Sequence, residues 1–204
     1  MQNFKDKKNI LNNIKFEDNI IIELGPGNSK KRGIGIDKLD LKNTDIIADI
    51  EEGLTFLKDK SINEIYSNNL LEHINNLDTL IKEIYRVLKN GGKFYGVTPH
   101  FSNPYFYSDP THVRFFGYYN FYYYADKQSM NKLKRKVPAF YNNIKFEIVS
   151  QELTFNSPFI IPRVLLKIFQ KVINKNIHLQ EFYERHLCTL IKADKINTIL
   201  KVNK

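Results

Sequence analysis

The chain has 204 residues, a net charge of +9, 42% hydrophobic and 26% charged residues, and a single cysteine. This ordinary globular composition is long enough for one domain with a real core, and no apolar run approaches the ~18 residues that would span a membrane. The charge permits RNA, anionic lipid or phosphorylated sugars as partners, but Lys, Asn, Ile, Phe and Tyr are enriched throughout, so it is not counted as evidence for nucleic acid. Cys188 alone excludes an internal disulfide and fits a reducing compartment. The polar residues after Met1 offer no secretory core, so a cytoplasmic location is expected.

Residues 1–18 are polar, with Ile10, Leu11, Ile14 and Phe16 as anchors for a short helix. Ile20 to Leu24 reads as a buried strand ending in Gly25-Pro26-Gly27. Ile34 to Ile36 ends in Asp37, and Ile46 to Ala48 ends in Asp49. Three apolar strands with polar ends describe the ligand edge of an open α/β sheet. Only Gly25 to Gly33 separate the first two, fewer than the ~10–12 residues a helical crossover needs, so the first helix is cut to a turn. With it goes the dipole that would favour an anionic ligand group. Lys30, Lys31 and Arg32 either restore positive charge there or form a solvated basic turn. A dinucleotide fingerprint fails, because Lys30 stands where its third glycine should be and Asp37 comes too soon. A phosphate-binding loop fails for want of Gly-Lys-Ser/Thr.

Glu51 to Lys60 is a loop or short helix, and Ile62 to Ser67 a fourth strand with Asn68 and Asn69 at its end. Leu77 to Leu88 is the clearest helix, its apolar residues recurring at i, i+3 and i+4, with Gly91 as its stop. Gly92 to Thr98 is a fifth strand. The aromatic run Gly117 to Tyr124 either stacks a base or sugar ring, lines an acceptor pocket, or packs on the core. Asn143 to Phe155 is a sixth strand. Pro158 to Lys175 is an amphipathic helix: Ile161, Val164, Leu165, Ile168, Phe169 and Val172 share a face, and Arg163, Lys167, Lys171 and Lys175 form a basic ridge. Such a helix covers a sheet, caps a pocket, or lies on an anionic membrane. Gln180 to Ile191 is a further helix with Cys188 buried and inert, and Ile196 to Val202 the last strand.

Glu23-Leu24-Gly25-Pro26-Gly27, Asn68 to Ile74 and Glu83 to Gly92 together resemble the class I S-adenosylmethionine-dependent methyltransferases, specifically a type 11-like methyltransferase domain. The resemblance implies a Rossmann-like, seven-stranded, mostly parallel sheet with an antiparallel last strand. It implies one domain over 1–204, with a helical insertion at 156–192. S-adenosylmethionine would lie over Gly25, Gly27 and Ser29, the last replacing a common third glycine. Glu23 would order the loop, Asp37 would hold the ribose hydroxyls, and Asp49, with Ile50 beside it, would read the adenine amine. Asn68 and Asn69 would meet the methionine portion. His73 is either a base or a structural hydrogen-bonder.

The loop from Thr98 to Gly117 leaves the carboxyl end of the fifth strand and carries His100, Ser102, Tyr105, Asp109, His112 and Arg114. Its Pro-His and Asp-Pro-Thr-His-x-Arg-Phe-Phe pieces resemble a bacterial and archaeal branch of the same methyltransferases. Three readings stay open. His112 or His100 is a general base oriented by Asp109; His100, Asp109 and His112 hold a metal; or Asp109 and Thr111 make a turn and the histidines are structural. The site assignment taken forward is His112, Asp109 and His100 as catalytic residues, with no metal. The expected reaction is methyl transfer to an oxygen or nitrogen of a small molecule, sugar or lipid precursor, with peripheral membrane contact open. RNA methylation and non-catalytic cofactor binding are the alternatives.

Overall fold

The computed structural model describes residues 3–13, 15, 19–138, 140 and 143–204. Ile14 and Phe16, two of the expected N-terminal anchors, lie outside them. The strands are β1 (Phe4–Asp6), β2 (Ile21–Leu24), β3 (Ile34–Asp37), β4 (Ile46–Ala48), β5 (Ile62–Asn68), β6 (Leu88–Pro99), β7 (Phe146–Thr154) and β8 (Lys195–Val202). The helices are α1 (Ile10–Asn13), α2 (Leu77–Val87), α3 (Lys127–Met130), α4 (Ile160–Ile173) and α5 (Ile177–Phe182). All eight strands form one sheet in the order β1-β4-β3-β2-β5-β6-β8-β7.

The seven expected strands are β2 to β8. Those from β4 to β6 across the sheet run parallel, and β8 inserts antiparallel between β6 and β7. The sequence reading missed β1, which adds antiparallel to β4. Its Phe-Lys-Asp carries no strand periodicity of its own; pairing with the β4 edge, and Phe4 stacked on Phe56 at 4.9 Å, define it.

Burial follows position in the sheet. Ile22, Glu23 and Leu24 of central β2 are all buried, since both faces are covered. In β8, Ile196, Thr198, Leu200 and Val202 alternate inward. Leu77, Leu80, Ile81, Ile84 and Val87 give α2 its buried face, each worth about 1.5–3 kcal/mol of transfer free energy. The helix ends at Val87, and Leu88 is already extended backbone starting β6. Gly91 is therefore not the expected stop; at φ 78° it sits in an irregular stretch of β6, where the pairing with β5 shifts register.

Two corrections concern the C-terminal third. The last expected helix is α5 followed by a wide turn over Tyr183–Leu187 that ends at buried Cys188, whose thiol pKa burial raises. In α4, Leu166, Phe169 and Ile173 face the protein. Of the expected apolar face only Phe169 packs; Ile161, Val164, Leu165, Ile168 and Val172 are all more than half exposed. Among the described residues no helix is long and apolar enough to cross a membrane.

Candidate cofactor cavity and reacting edge

The strand order reverses between β2 and β5, and parallel sheets bind ligands beyond the carboxyl ends of the strands at such a point. Register places the expected residues there. Leu24 pairs with Ile36 and with Ser67, so Gly25, Asp37 and Asn68 stand abreast at the edge; Asp37 pairs with Ile47, which brings Asp49 beside them. A cavity of about 550 Å³ opens at this point. Gly25, Asp37, Asp49 and Ile50 line it, together with Lys38, Glu51, Leu70, His73, Thr111 and Val113 from segments the sequence reading did not assign to it.

The loop after β2 explains its own shortness. Gly25 N–H donates to Ile36 O at 2.8 Å, Gly27 N–H to Asp37 Oδ2 at 3.1 Å and Ser29 N–H to Pro26 O at 3.0 Å. Glu23, buried at the end of β2, accepts from Lys31 and Arg32 N–H at 2.8 and 2.9 Å. The turn is thus closed by internal hydrogen bonds with no helix. Gly33 is needed where it is: at φ 48°, a Cβ would fall 2.1 Å from Ile21 O.

The basic turn divides: Lys31 and Arg32 are exposed, as a solvated turn would have them, while Lys30 is not. Lys30 is paired with buried Asp45, which also takes Lys8 Nζ at 2.7 Å and Gly35 N–H at 2.9 Å. Burial would raise the Asp45 carboxyl, but these partners outweigh it and hold it at about 2. Arg32 lies over the Tyr66 ring at 4.1 Å. Lys38, in the cavity wall, is the cation placed to meet an anionic ligand group.

Asp49 caps the short helical turn Ile50–Glu52, accepting from Glu51 N–H at 3.0 Å. Glu51 in turn accepts from Asn75 and Asn76 N–H, tying this turn to the start of α2. Asn68 and Asn69 are exposed at the end of β5 and do not line the cavity; Asn69, at φ 49°, donates its N–H to Val97 O. Glu23, Gly27 and Ser29 act on the loop without lining the cavity.

The expected catalytic trio separates. His100 is fully buried: Ser102 N–H and Oγ–H donate to Nδ1, and Nε2–H donates to Glu184 Oε2 at 2.8 Å. Nε2 ties the turn after α5 to the end of β6, and Nδ1 fixes the loop that follows β6. His112 and Asp109 remain neighbours, Nε2 to Oδ2 at 3.7 Å, and the proton on His112 Nδ1 goes to Phe106 O at 2.9 Å. Asp109 accepts from Thr111 Oγ1–H at 2.6 Å and Thr111 N–H at 2.9 Å, a turn whose hydrogen bonds lower the carboxyl pKa.

The residue brought to His112 is His73, 39 positions away. Their ring centroids are 4.8 Å apart. Thr111 spends its hydroxyl proton on Asp109, so the His73 Nδ1 proton points to Thr111 O and Oγ1, at 3.2 and 2.9 Å. Beside them lies Glu72, 1% exposed, whose Oε2 has no hydrogen-bond partner among the described residues. Burial pushes its carboxyl up to about 7. Leu-Glu-His at the end of β5 was the available signal for this cluster; what hid it was that His112 arrives from another loop.

The aromatic run divides between two readings. Tyr118, Phe121 and Tyr122 are buried, and Tyr118 OH donates to Gln180 Oε1 at 2.8 Å. Tyr123 and Tyr124, with Phe121, Phe115, Phe116, Asp78 and Arg114, line a second cavity of about 550 Å³ that shares Val113 with the first.

Residues 29–96, a third of the chain, match the family described as a methyltransferase domain. That segment holds β3 to β5, α2 and most of β6, with Asp37, Asp49 and the Leu-Glu-His signature. Over that segment the likeness is to the class I S-adenosylmethionine-dependent methyltransferases. The chain shares its fold with solved structures at low identity. A S-adenosylmethionine-dependent methyltransferase from Archaeoglobus fulgidus superposes with a TM-score of 0.56 at 17% identity, over 94% of this chain and 90% of that one. The protein solved in complex with the Haloferax volcanii Trm112 methyltransferase activator gives 0.54 at 14%, over 98% and 89%. The YcgJ protein of Bacillus subtilis gives 0.52 at 16%, over 96% of each. No curated protein matches the sequence.

The donor set fits S-adenosylmethionine. Asp37, Asp49 and Gly25, a glycine with left-handed backbone, share one cavity wall, and its volume is in the range of cofactor sites. When bound, the cofactor supplies an already activated methyl group. What this chain adds is alignment of donor and acceptor, which can be worth roughly 7–11 kcal/mol.

Proposed function

We propose that this methyltransferase acts on an oxygen or nitrogen of a small molecule, a sugar or a lipid precursor. One observation carries the reading: the cavity holding Asp37 and Asp49 and the aromatic-lined cavity have Val113 as a common wall residue, with His73 and Thr111 lining the first and His112 packed against His73. Gly25, Asp37, Asp49 and Lys38 hold the cofactor, with Glu23 fixing the loop beneath it. Phe115, Tyr123 and Tyr124 offer ring faces to a flat or sugar-like acceptor, and Asp78 and Arg114 its polar contacts. His112 assists loss of the acceptor's proton, with Asp109 and Thr111 setting the loop. The domain is taken as single over 1–204, with 156–192 as its cap. The test is transfer of labelled methyl to hydroxylated and amine acceptors. His112→Ala should keep S-adenosylhomocysteine affinity and lose at least tenfold in turnover; unchanged turnover removes His112 from the chemistry.

A second observation favours a lipid precursor met at a membrane. Ile160, Ile161, Val164, Leu165 and Ile168 point outward from α4, which carries Arg163, Lys167 and Lys171 and no acidic residue. Apolar area beside cations suits an anionic bilayer surface. Co-sedimentation with phosphatidylglycerol vesicles should fall at least fivefold in Leu165→Asp/Ile168→Asp and be weak with phosphatidylcholine. Equal sedimentation of both proteins rejects this contact.

A further inference from the structure

Glu72, His73 and His112 each direct one potential ligand atom into a common space, the three atoms lying within 4.8 Å of one another. Three features separate this cluster from a chance grouping of polar side chains. Glu72 is buried, yet its Oε2 has no hydrogen-bond partner among the described residues, although buried carboxylate oxygens are ordinarily satisfied. Each histidine places its Nδ1 proton on backbone or hydroxyl oxygen, His112 on Phe106 O and His73 on Thr111, which leaves Nε2 of each ring with its lone pair. Metal-bound histidines are oriented by this same device, a second ring nitrogen donating to an oxygen. The Thr111–Asp109 turn adds a further layer, holding the His73 partner in place.

We propose that Glu72, His73 and His112 bind a divalent cation of the Mn2+, Fe2+ or Zn2+ type at the wall of the cofactor cavity. Two imidazoles and one carboxylate suit borderline cations and leave coordination positions open. Bonds of roughly 2.0–2.2 Å bring ligand atoms to about 3.4 Å from one another. The cluster therefore closes by up to about 1.4 Å on binding, within reach of the unpartnered Glu72 Oε2 and of His112 on its loop. His73 lines the cavity, so the open positions face its contents. A hydroxyl of the acceptor bound there is acidified, as water is on zinc, and its proton passes to solvent water. This consequence rests on the methyl-transfer reading; the binding itself does not. It gives His112 its part in the reaction through the ion, and it favours a hydroxyl acceptor over an amine. The ligand set departs from the sequence-based possibility of His100, Asp109 and His112, since His100 is committed to Glu184 and Ser102.

The test titrates metal-free protein with Mn2+, following loss of the free-ion electron paramagnetic resonance signal, and repeats it with Zn2+ by calorimetry. Wild type should bind one equivalent. Glu72→Gln, which keeps the shape of the buried side chain, and His112→Ala should each weaken binding at least tenfold, while His186→Ala, at an exposed position elsewhere, should not. S-adenosylhomocysteine affinity, measured on every protein, reports folding and the cofactor site. No saturable binding by wild type, or equal binding by wild type and both ligand variants, overturns the proposal. Site-specific metal binding without S-adenosylhomocysteine binding would keep the cation site and reject the methyl-transfer reading instead.

Discussion

Replacing Asp37 by Ala tests the cofactor cavity at its most exacting point. One carboxylate oxygen accepts from Gly27 N–H at 3.1 Å and the other from Leu39 N–H at 3.0 Å, while the side chain lines the cavity. A carboxylate that also accepts two ribose hydroxyls contributes roughly 1.5–3 kcal/mol per bond. Losing both costs about 3–6 kcal/mol, a factor of about 10²–10⁴ in Kd. Thermal unfolding with S-adenosylhomocysteine at a hundred times the wild-type Kd reads this directly. Wild type gains about 2.7 kcal/mol, a rise of roughly 5–10 °C for a chain of this size. A variant weakened a hundredfold sits at its own Kd, gains about 0.4 kcal/mol, and rises by under about 2 °C. Asp37→Asn, keeping one acceptor, should fall between. A folded Asp37→Ala protein that retains half the wild-type rise would refute the ribose contact.

Three further outcomes follow from the same geometry. Asp45 is held at about 2, below its ordinary 3.8, so its stabilisation is present above about pH 4 and disappears as pH falls through about 2. Asp45→Asn should cost about 1–2 kcal/mol at pH 7, allowing for screening of exposed Lys8, with the gap to wild type closing on acidification; a gap independent of pH in urea titrations would contradict this. Gly33→Ala should destabilise by at least about 2 kcal/mol, because strain and a backbone clash combine, whereas Gly27→Ala, with nothing within 4 Å of its Cβ, should cost only about 1 kcal/mol. Equal denaturation midpoints for the two would remove the close-approach argument. His100→Ala should cost about 2–4 kcal/mol by stranding Glu184 and Ser102, yet leave S-adenosylhomocysteine affinity unchanged; a large loss of that affinity would return His100 to the site.

The central elements were legible because their causes are local. Ile20 to Leu24, Ile34 to Ile36 and Ile46 to Ala48 are apolar, β-branched and end in glycine or aspartate, so strand and ligand edge are written in neighbouring residues. The same holds for α2, whose buried face is a period in the sequence, and for the missing first helix, which nine residues cannot accommodate. Those features carried Asp37, Asp49 and the methyltransferase resemblance.

Tertiary structure decided whatever depends on a distant partner. β1 exists because the β4 edge is there to pair with it. Lys30 turns neither to a ligand nor to solvent but to Asp45, 15 residues on, where a buried carboxylate takes its charge. His100 finds Glu184 across 84 residues and becomes structural, while Glu72 and His73 meet His112 because β5 and β6 end side by side. The α4 periodicity announced an apolar face but could not say which way it pointed; the smaller face of Leu166, Phe169 and Ile173 fits the groove, and the larger one stays outside. Sequence spacing records what a residue's neighbours on one element are, and only packing determines which element comes to lie against it.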